Sequence, residues 1–275
     1  MFSKRLSHRV SCSLGAALLA VAAPAAHAGS ALFGTTNVQY LYGTTYADFN
    51  DDFSGYVHDD KASIITLEHF DVWKYGDNFF FVDITNPDRE GDRFASADKG
   101  TGAYYAELSP RLSIGKILDT PLAFGPIVDF LVTTTLEIPG NGVEQTYLYG
   151  LAADLKIPGF QFFQFNWYLR NAQDSDLKTG QQITLAWGAP FKIGNVAFSF
   201  EGFFDYAWGE DPKTPGGSYQ DNIITAPRFL IDVGSIFGAP GNFQAGVEYQ
   251  IWRNKYGIDG MNEDVAQAMV KWIIQ

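Results

Sequence analysis

Alternation of apolar and polar residues runs through almost the whole chain, and it restricts the possible fold more than any other feature. Strict alternation places successive side chains on opposite faces of a β-strand. The run Phe-Gln-Phe-Asn-Trp-Tyr-Leu-Arg at 163–170 is a clear example. Because no segment of similar length carries a helical stripe, the sequence predicts an all-β protein. We predict twelve strands, near residues 34–46, 61–74, 78–86, 101–114, 122–138, 144–156, 160–171, 180–189, 194–208, 221–234, 241–254 and 264–275.

The connectors between these strands fall into two sets that alternate along the chain. The odd-numbered connectors are mostly long and acidic, such as 47–60, and the even-numbered ones are mostly short, such as the turn at 75–77. Long loops at one end, short turns at the other and an even number of strands are typical of transmembrane β-barrels. A soluble β-sandwich has no reason to separate its loops in this way. We therefore predict a twelve-stranded antiparallel transmembrane β-barrel with long outer loops and short periplasmic turns.

The composition agrees with such a barrel and excludes several other classes of protein. The mean hydropathy of −0.08, with no apolar run near 18 residues, excludes a helical membrane protein. The net charge of −12 excludes a nucleic-acid binder, which needs a basic face to meet phosphates. Aromatic residues make up 16% of the chain, and many lie near strand ends, where they fit interfacial girdles. The predicted girdle residues are Tyr40, Tyr42, Trp73, Tyr147, Tyr149, Trp187, Tyr206, Trp208 and Trp272.

The N-terminus has the layout of a cleavable secretory signal peptide at residues 1–28. A positively charged segment at 4–9 precedes an apolar stretch at 14–23, and an Ala-x-Ala cleavage site ends at residue 28. The single cysteine, Cys12, lies in this segment, so the mature chain has neither a disulfide nor a thiolate metal site. We expect residues 29–275 to form one barrel domain in the outer membrane of a Gram-negative bacterium.

The polar face of the strands is predicted to line the barrel interior, because charged side chains facing hydrocarbon carry a large energetic penalty. In a barrel of eight strands side chains fill the interior, and a barrel of sixteen strands leaves a wide channel. A barrel of twelve strands lies between the two, which indicates a narrow lumen for a small solute. Inward aromatic rings offer faces on which a flat solute can stack. The predicted interior residues are the charged Glu68, Asp83, Glu107, Arg111, Asp129, Glu137, Asp154, Arg170, Glu201, Asp205, Arg228, Asp232, Glu248 and Lys271, and the aromatic Phe81, Tyr105, Tyr168, Phe203 and Trp252.

A sequence motif in the fourth and fifth strands resembles a known family. Residues 107–114 read Glu-Leu-Ser-Pro-Arg-Leu-Ser-Ile, and residues 122–126 read Leu-Ala-Phe-Gly-Pro. This pattern is similar to the E-x-x-P-R-x-S-I and L-x-F-G-P motifs of the Tsx family, the nucleoside-specific channel-forming proteins of the Gram-negative outer membrane. Weaker similarity covers residues 67–70 and 149–154.

The resemblance implies a twelve-stranded barrel that takes up nucleosides passively through a narrow pore. It implies weak ligand binding by polar and aromatic lumen residues, without a cofactor. Members of this family also act as phage and colicin receptors through their outer loops, which implies a possible receptor role. We expect a monomer that contacts outer-membrane lipids and lipopolysaccharide and binds no nucleic acid.

Glu107 and Arg111 are four residues apart in the motif, so both side chains point to the same face of the strand, which by phase is the lumen. Two roles stay open for them, an ion pair that braces the wall or contacts to a ligand. Between them, Pro110 removes a donor from the hydrogen-bond ladder and predicts a bulge or bend.

Two functions besides a nucleoside channel remain open from the sequence. A general or cation-leaning diffusion pore is favoured by the ten acidic and four basic residues among the predicted interior positions. A lipid-modifying barrel enzyme needs a Ser–His pair with an orienting group, for which the chain offers His69 with Ser63 or Glu68. The aspartates at 48–60 lack the spacing of a calcium loop, and we interpret them as a solvated acidic loop. We expect no metal site, no cofactor and no enzymatic activity.

Overall fold

The strands close into a barrel. The computed structural model describes residues 31–49, 56–87, 103–140, 145–173 and 175–274, and within these ranges every named strand belongs to one antiparallel sheet. The first strand, β1 (Phe33–Phe49), pairs with the last, β13 (Glu263–Ile273). Closure pairs the edges of the sheet, as lipid requires, because no water is present there to satisfy a free backbone group. The predicted all-β barrel is confirmed.

The strand bounds follow the predicted ones closely. Between β1 and β13 lie β2 (Tyr56–Trp73), β3 (Gly76–Thr85), β4 (Ala103–Ser113), β5 (Ile127–Pro139), β6 (Thr146–Leu155), β7 (Phe162–Ala172), β8 (Gly180–Ile193), β9 (Val196–Trp208), β10 (Asn222–Thr225), β11 (Arg228–Asp232) and β12 (Phe243–Arg253). The largest differences are five positions. β2 begins five positions before its predicted start, and β5 begins five positions after its own because the connector before β5 holds a short helix, α1 (Ile114–Ile117).

The short segments β10 and β11 are two halves of one barrel strand, because both pair with β9 on one side and with β12 on the other. The sequence predicts an unbroken strand here, and the structure interrupts it at Ala226 and Pro227. Proline has no N–H for the ladder. On β9, Gly202 allows the Ala226 carbonyl to come close, since a Cβ on Gly202 would lie 2.7 Å from that oxygen. With the two halves counted as one, the described chain has the predicted twelve strands.

Pro110 does not produce the predicted bulge. The register of β4 with β3 is continuous through this residue, and its register with β5 is the same before and after it. Pairing between β4 and β5 is instead interrupted from Ser109 to Pro110, where the missing N–H leaves a gap in the ladder.

The two ends of the barrel differ in their connectors. At one end, here called the turn end, short connectors join β2 to β3, β6 to β7 and β8 to β9, whereas the connectors 114–126 and 233–242 of this end are longer and hold short helices. At the other, the loop end, the described connectors include 209–221 and 254–262. The predicted signal peptide, the aspartates at 50–55 and most of the connector after β3 lie outside the described residues. In the described ranges, no helix is long and apolar enough to cross a bilayer.

The outward side chains form an apolar surface. Val132, Leu151, Val247 and Val270, one from each of four strands, are between 44% and 57% exposed. Of the predicted girdle aromatics, Tyr40, Tyr42, Tyr147, Tyr149 and Trp272 are exposed large side chains on this surface. An apolar exterior around a polar interior is the inverse of a soluble protein and is what lipid selects.

Candidate functional site in the barrel interior

The interior face carries the polar side chains that alternation assigns to it. Side chains from strands that are not neighbours meet there, such as Lys271 of β13 with Glu201 of β9 at 2.6 Å, and Arg228 of β11 with Glu68 of β2 at 3.3 Å. The other predicted interior residues share the phase of these pairs in the strand register. They are Phe81, Asp83, Tyr105, Glu107, Arg111, Asp129, Glu137, Asp154, Tyr168, Arg170, Phe203, Asp205, Asp232, Glu248 and Trp252.

Two basic and three acidic side chains form a central ion cluster inside the barrel. The Arg228 Nε donates to Glu248 at 2.5 Å, and its Nη1 donates to Glu68 at 3.3 Å. The Lys271 Nζ donates to Glu201 at 2.6 Å and lies 3.9 Å from Glu68. The cluster, Arg228, Lys271, Glu68, Glu201 and Glu248, therefore joins five strands through the interior.

Packed apolar side chains lie next to the central ion cluster. Leu41, Leu230 and Met269 contact one another inside the barrel and are at most 3% exposed. In the same region Gln39 is fully buried and donates to Glu68 at 3.2 Å. The side of the barrel formed by β11, β13 and β1 is therefore filled by its own side chains, which leaves less room for a solute than the strand number alone suggests.

Arg111 is bound by two carboxylates near the turn end. Its Nε and Nη2 both donate to Asp77 at 2.8 Å, and its Nη1 donates to Asp154 at 2.9 Å. Glu107 instead accepts a hydrogen bond from the Tyr105 hydroxyl at 2.6 Å. Arg111 therefore forms ion pairs that brace the wall, which is one of the two roles left open by the sequence. Its expected partner, Glu107, is wrong. The guanidinium extends toward the turn end, where the two aspartates lie.

Arg170 is bound near the loop end. It donates to Glu137 of β5, to Gln182 of β8 at 3.1 Å, and to Glu210 at 3.2 Å. Glu210 belongs to the connector 209–221, yet it is only 3% exposed. Glu210 therefore enters the interior beside Arg170, and the start of this connector lies against the barrel wall.

A second connector is held at the loop end by a buried ion pair. Lys255 donates from Nζ to Glu263 at 2.6 Å and to the Ala47 carbonyl at 3.0 Å. Gln250 also donates to Glu263, at 2.5 Å. Lys255 and Glu263 are at most 2% exposed, so the connector 254–262 packs onto the mouth of the barrel and not away from it.

Sequence reasoning missed Asp77, Glu210, Lys255 and Glu263. Asp77 and Glu263 lie at the interior parity of β3 and β13, one residue before the predicted strand starts. Glu210 and Lys255 lie in connectors, which have no alternation, so nothing in the sequence separates these two from exposed charges.

The connectors 209–221 and 254–262 pack on each other at the loop end. The Gln220 N–H donates to the Gly257 carbonyl at 2.8 Å. Gly257 has a φ of +71°, and a Cβ on it would lie 2.3 Å from the Tyr219 ring. Burial raises the pKa of the Tyr219 hydroxyl to about 12. Contact between 209–221 and 254–262 makes one layer over part of the mouth.

Closure of the connector 209–221 is expected to depend on pH through Glu210. Burial raises the pKa of this carboxyl above its ordinary value, because desolvation outweighs the neighbouring Arg170 guanidinium. The closed loop therefore binds a proton more readily than the open loop, and closure gains stability as the pH falls from neutrality toward 4.5. We expect proteases to cleave this connector more slowly in Glu210→Gln than in the unsubstituted protein at pH 8, and at the same rate near pH 5. A rate ratio that does not change with pH would assign the titration to another group.

Aromatic rings line the interior face from β1 to β4. Phe33 contacts Phe70 with ring centres 6.4 Å apart, Phe79 contacts Phe81 at 6.0 Å, and Phe81 contacts Tyr105 at 5.9 Å. Phe70 and Phe79 are register partners on β2 and β3, so the five rings follow one another. We call them the aromatic wall. Of these five rings, the sequence analysis predicted only Phe81 and Tyr105 as interior residues. The alternation in β1 to β3 places the other three on the same face.

Three interior carboxylates near the aromatic wall form no ion pair with the described residues. They are Asp83, which accepts a hydrogen bond from Thr66 at 2.5 Å, Glu107, and Asp205. Glu107 and Asp205 lie within electrostatic range of each other. All three are partly exposed, whereas Arg111 is 4% exposed, so solvent inside the barrel reaches the acidic groups.

His69 lies on the outer face and not beside the interior groups. The Thr36 hydroxyl is 2.7 Å from its Nδ1, and Asp71 is 3.4 Å from its Nε2. Neither Ser63 nor Glu68 pairs with it in the described structure. Glu68 points inward, so the arrangement considered for a lipid-modifying enzyme does not form.

Several known proteins are similar to this chain. The outer membrane protein OmpK of Vibrio parahaemolyticus is 25% identical over 197 residues, which cover 70% of this chain and 67% of that protein. Two solved structures also align. The KdgM porin has a TM-score of 0.45 and 8% identity, and the alignment covers 86% of this chain and 98% of that one. The outer membrane protein opdK of Pseudomonas aeruginosa has a TM-score of 0.23 and 12% identity, with 88% of this chain and 98% of that one covered. The family model of the nucleoside-specific channel-forming protein, Tsx, matches residues 35–268, which is most of the sequence. The chain is therefore an outer-membrane channel that belongs to the Tsx family.

Proposed function

We propose that this channel passes nucleosides, by passive diffusion along the aromatic wall. The observation that carries the proposal is the row of five rings from Phe33 to Tyr105, joined by three ring contacts and by one pair of register partners on one interior surface. A nucleobase is a flat ring that stacks on an aromatic side chain with about 1–3 kcal/mol per base. Successive sites of this strength hold a solute weakly and release it quickly, which conduction requires.

Hydrogen-bonding groups lie within reach of the same wall. Glu107 is bound to the Tyr105 hydroxyl at 2.6 Å, and Asp83 is two positions from Phe81 on the same face. Carboxylates accept hydrogen bonds from ribose hydroxyls, so one solute can stack its base and bind its sugar together. The family and the relative OmpK support an outer-membrane channel, and the match of the wall to a base and a sugar supports nucleosides as its solute.

Single-channel conductance in planar bilayers tests the proposal. Added adenosine or thymidine is expected to reduce the small-ion current in a saturable way, while glucose at the same concentration leaves it unchanged. Phe81→Ala is expected to weaken the nucleoside block by about tenfold, because one stacking face is lost. Phe80→Ala is the matched control, since Phe80 is the neighbouring phenylalanine and its ring stacks on His69 on the outer face.

Two results would contradict the proposal. One is a small-ion current that nucleosides do not reduce at any concentration that dissolves. The other is an equal loss of block in Phe81→Ala and Phe80→Ala, which would attribute the effect to general damage of the barrel.

A general diffusion pore that leans toward cations is the second candidate, and the unpaired carboxylates Asp83, Glu107 and Asp205 favour it. Uptake of sugars and amino acids into liposomes at the same rate as nucleosides would support this alternative.

The monomeric state, the contacts with lipopolysaccharide and a receptor role for phages or colicins stay predictions from the sequence and the family. The family is that of a channel, and the absence of enzymatic activity stays a prediction.

A further inference from the structure

Three polar residues form a row across the interior face of β7, β8 and β9. Asn166 is the register partner of Thr184, and Thr184 is the register partner of Asp205. The alternation places all three side chains inside the barrel, and Asn166 is only 3% exposed. The row therefore lies in the wall of the channel, away from the packed side formed by β11, β13 and β1.

Two acceptor atoms of this row have no donor. Asn166 uses its Nδ2 to donate to the Thr184 carbonyl at 3.3 Å, which leaves its Oδ1 without a partner among the described residues. The Asp205 Oδ1 is also buried without a partner among the described residues. Buried polar atoms are nearly always hydrogen-bonded in folded proteins. Two unmatched acceptors on one row indicate a ligand that brings donors or positive charge.

The charge around the row has the same sign as these acceptors. Glu107 lies across the interior within electrostatic range of Asp205. The nearest interior cation, Arg170, is already shared between Glu137 and Glu210. Because that cation is compensated by two carboxylates, the field at Asp205 stays negative.

The interior cations elsewhere are compensated in the same way. Arg111 binds Asp77 and Asp154, while Arg228 and Lys271 together meet the three carboxylates of the central ion cluster. No group of three or more His, Cys, Asp or Glu in the described ranges has the geometry to hold a metal ion. A monovalent cation in transit keeps most of its water ligands and an ammonium group has only three donors, so either suits the row better than a divalent metal.

We propose that Asn166 and Asp205, with Glu107 facing them, form a selectivity site for monovalent cations and protonated amines. The unmatched acceptors and the Glu107 carboxylate make the wall negative at this level, which favours a passing cation. An anion at the same place meets carboxylates and no free donor. This inference rests on the chain being a channel, and it holds whether or not nucleosides are its solute.

The reversal potential across a planar bilayer with a KCl gradient tests the site. At pH 8 we expect the unsubstituted channel to conduct K⁺ better than Cl⁻. Asp205→Asn is expected to lower the K⁺/Cl⁻ permeability ratio by about threefold, since one charge near the path is lost in a partly hydrated interior. Asn166→Ala is expected to lower the ratio less, because it removes an acceptor without changing charge.

Asp119→Asn is the matched control, because it removes the same charge from an exposed residue of the connector between β4 and β5. Its φ of 49° suits asparagine as well as aspartate. A ratio that falls equally in Asp119→Asn and Asp205→Asn, or an unsubstituted channel without cation preference, would overturn the proposal. Block by nucleosides is measured separately on the same channels. A lost block with an intact permeability ratio contradicts only the proposed solute, and the reverse contradicts only the selectivity site.

Discussion

Replacing Arg228 by methionine is expected to lower the free energy of unfolding by about 3–5 kcal/mol, because it leaves buried carboxylates without their cation. The Arg228 Nε donates to Glu248 at 2.5 Å, and its Nη1 donates to Glu68 at 3.3 Å. Lys271 stays to compensate Glu201, but it is 3.9 Å from Glu68. The loss should therefore fall mainly on Glu248 and Glu68, which have few ways to regain water inside the barrel.

Urea unfolding of the barrel in detergent micelles, followed by tryptophan fluorescence, measures this effect. Lys178→Met is the control, since Lys178 lies 3.9 Å from Asp211 and both side chains are more than half exposed. An exposed pair contributes about 0–1 kcal/mol. Equal losses in the two variants would mean that water reaches the central ion cluster freely. Arg228→Lys keeps the charge and should recover part of the stability if the methionine variant does not fold.

Arg111→Met is expected to have the second largest effect on the free energy of unfolding, also about 3–5 kcal/mol. Its guanidinium makes three hydrogen bonds of 2.8 to 2.9 Å with Asp77 and Asp154. Removal of the cation leaves two aspartates facing each other near the turn end. The uncompensated charge causes most of this loss of stability, and the lost hydrogen bonds themselves contribute less to it.

A triple variant separates these two causes. In Arg111→Met with Asp77→Asn and Asp154→Asn, no uncompensated charge is left, so most of the stability should return. If the triple variant is as unstable as the single one, the geometry of the guanidinium and not its charge holds this end of the barrel. The same urea titration serves both variants, and heat-modifiable gel mobility confirms that each barrel is closed.

Much of the fold follows from two simple patterns in the sequence. Period-two alternation assigns the interior face, and connector length assigns the two ends, so twelve strands and their phases are predicted within a few residues. The differences have local causes. Pro227 breaks one strand into two halves, and α1 delays the start of β5.

The candidate site was predicted less completely than the fold. Alternation placed Phe81, Tyr105, Glu107 and Asp205 inside the barrel, and the structure has them there. It did not reveal that Glu210 enters the interior from a connector, because connectors have no period. A ligand role for these residues is still a prediction.

The sequence by itself determined which side chains face inward, because the face of a residue depends only on its parity along one strand. Only the tertiary structure decided which inward charges pair. Glu107 and Arg111 share a face and a motif, yet Arg111 binds Asp77 and Asp154 while Glu107 binds Tyr105. Pairing depends on how the register of every strand adds up around the closed barrel, and no single strand contains that information.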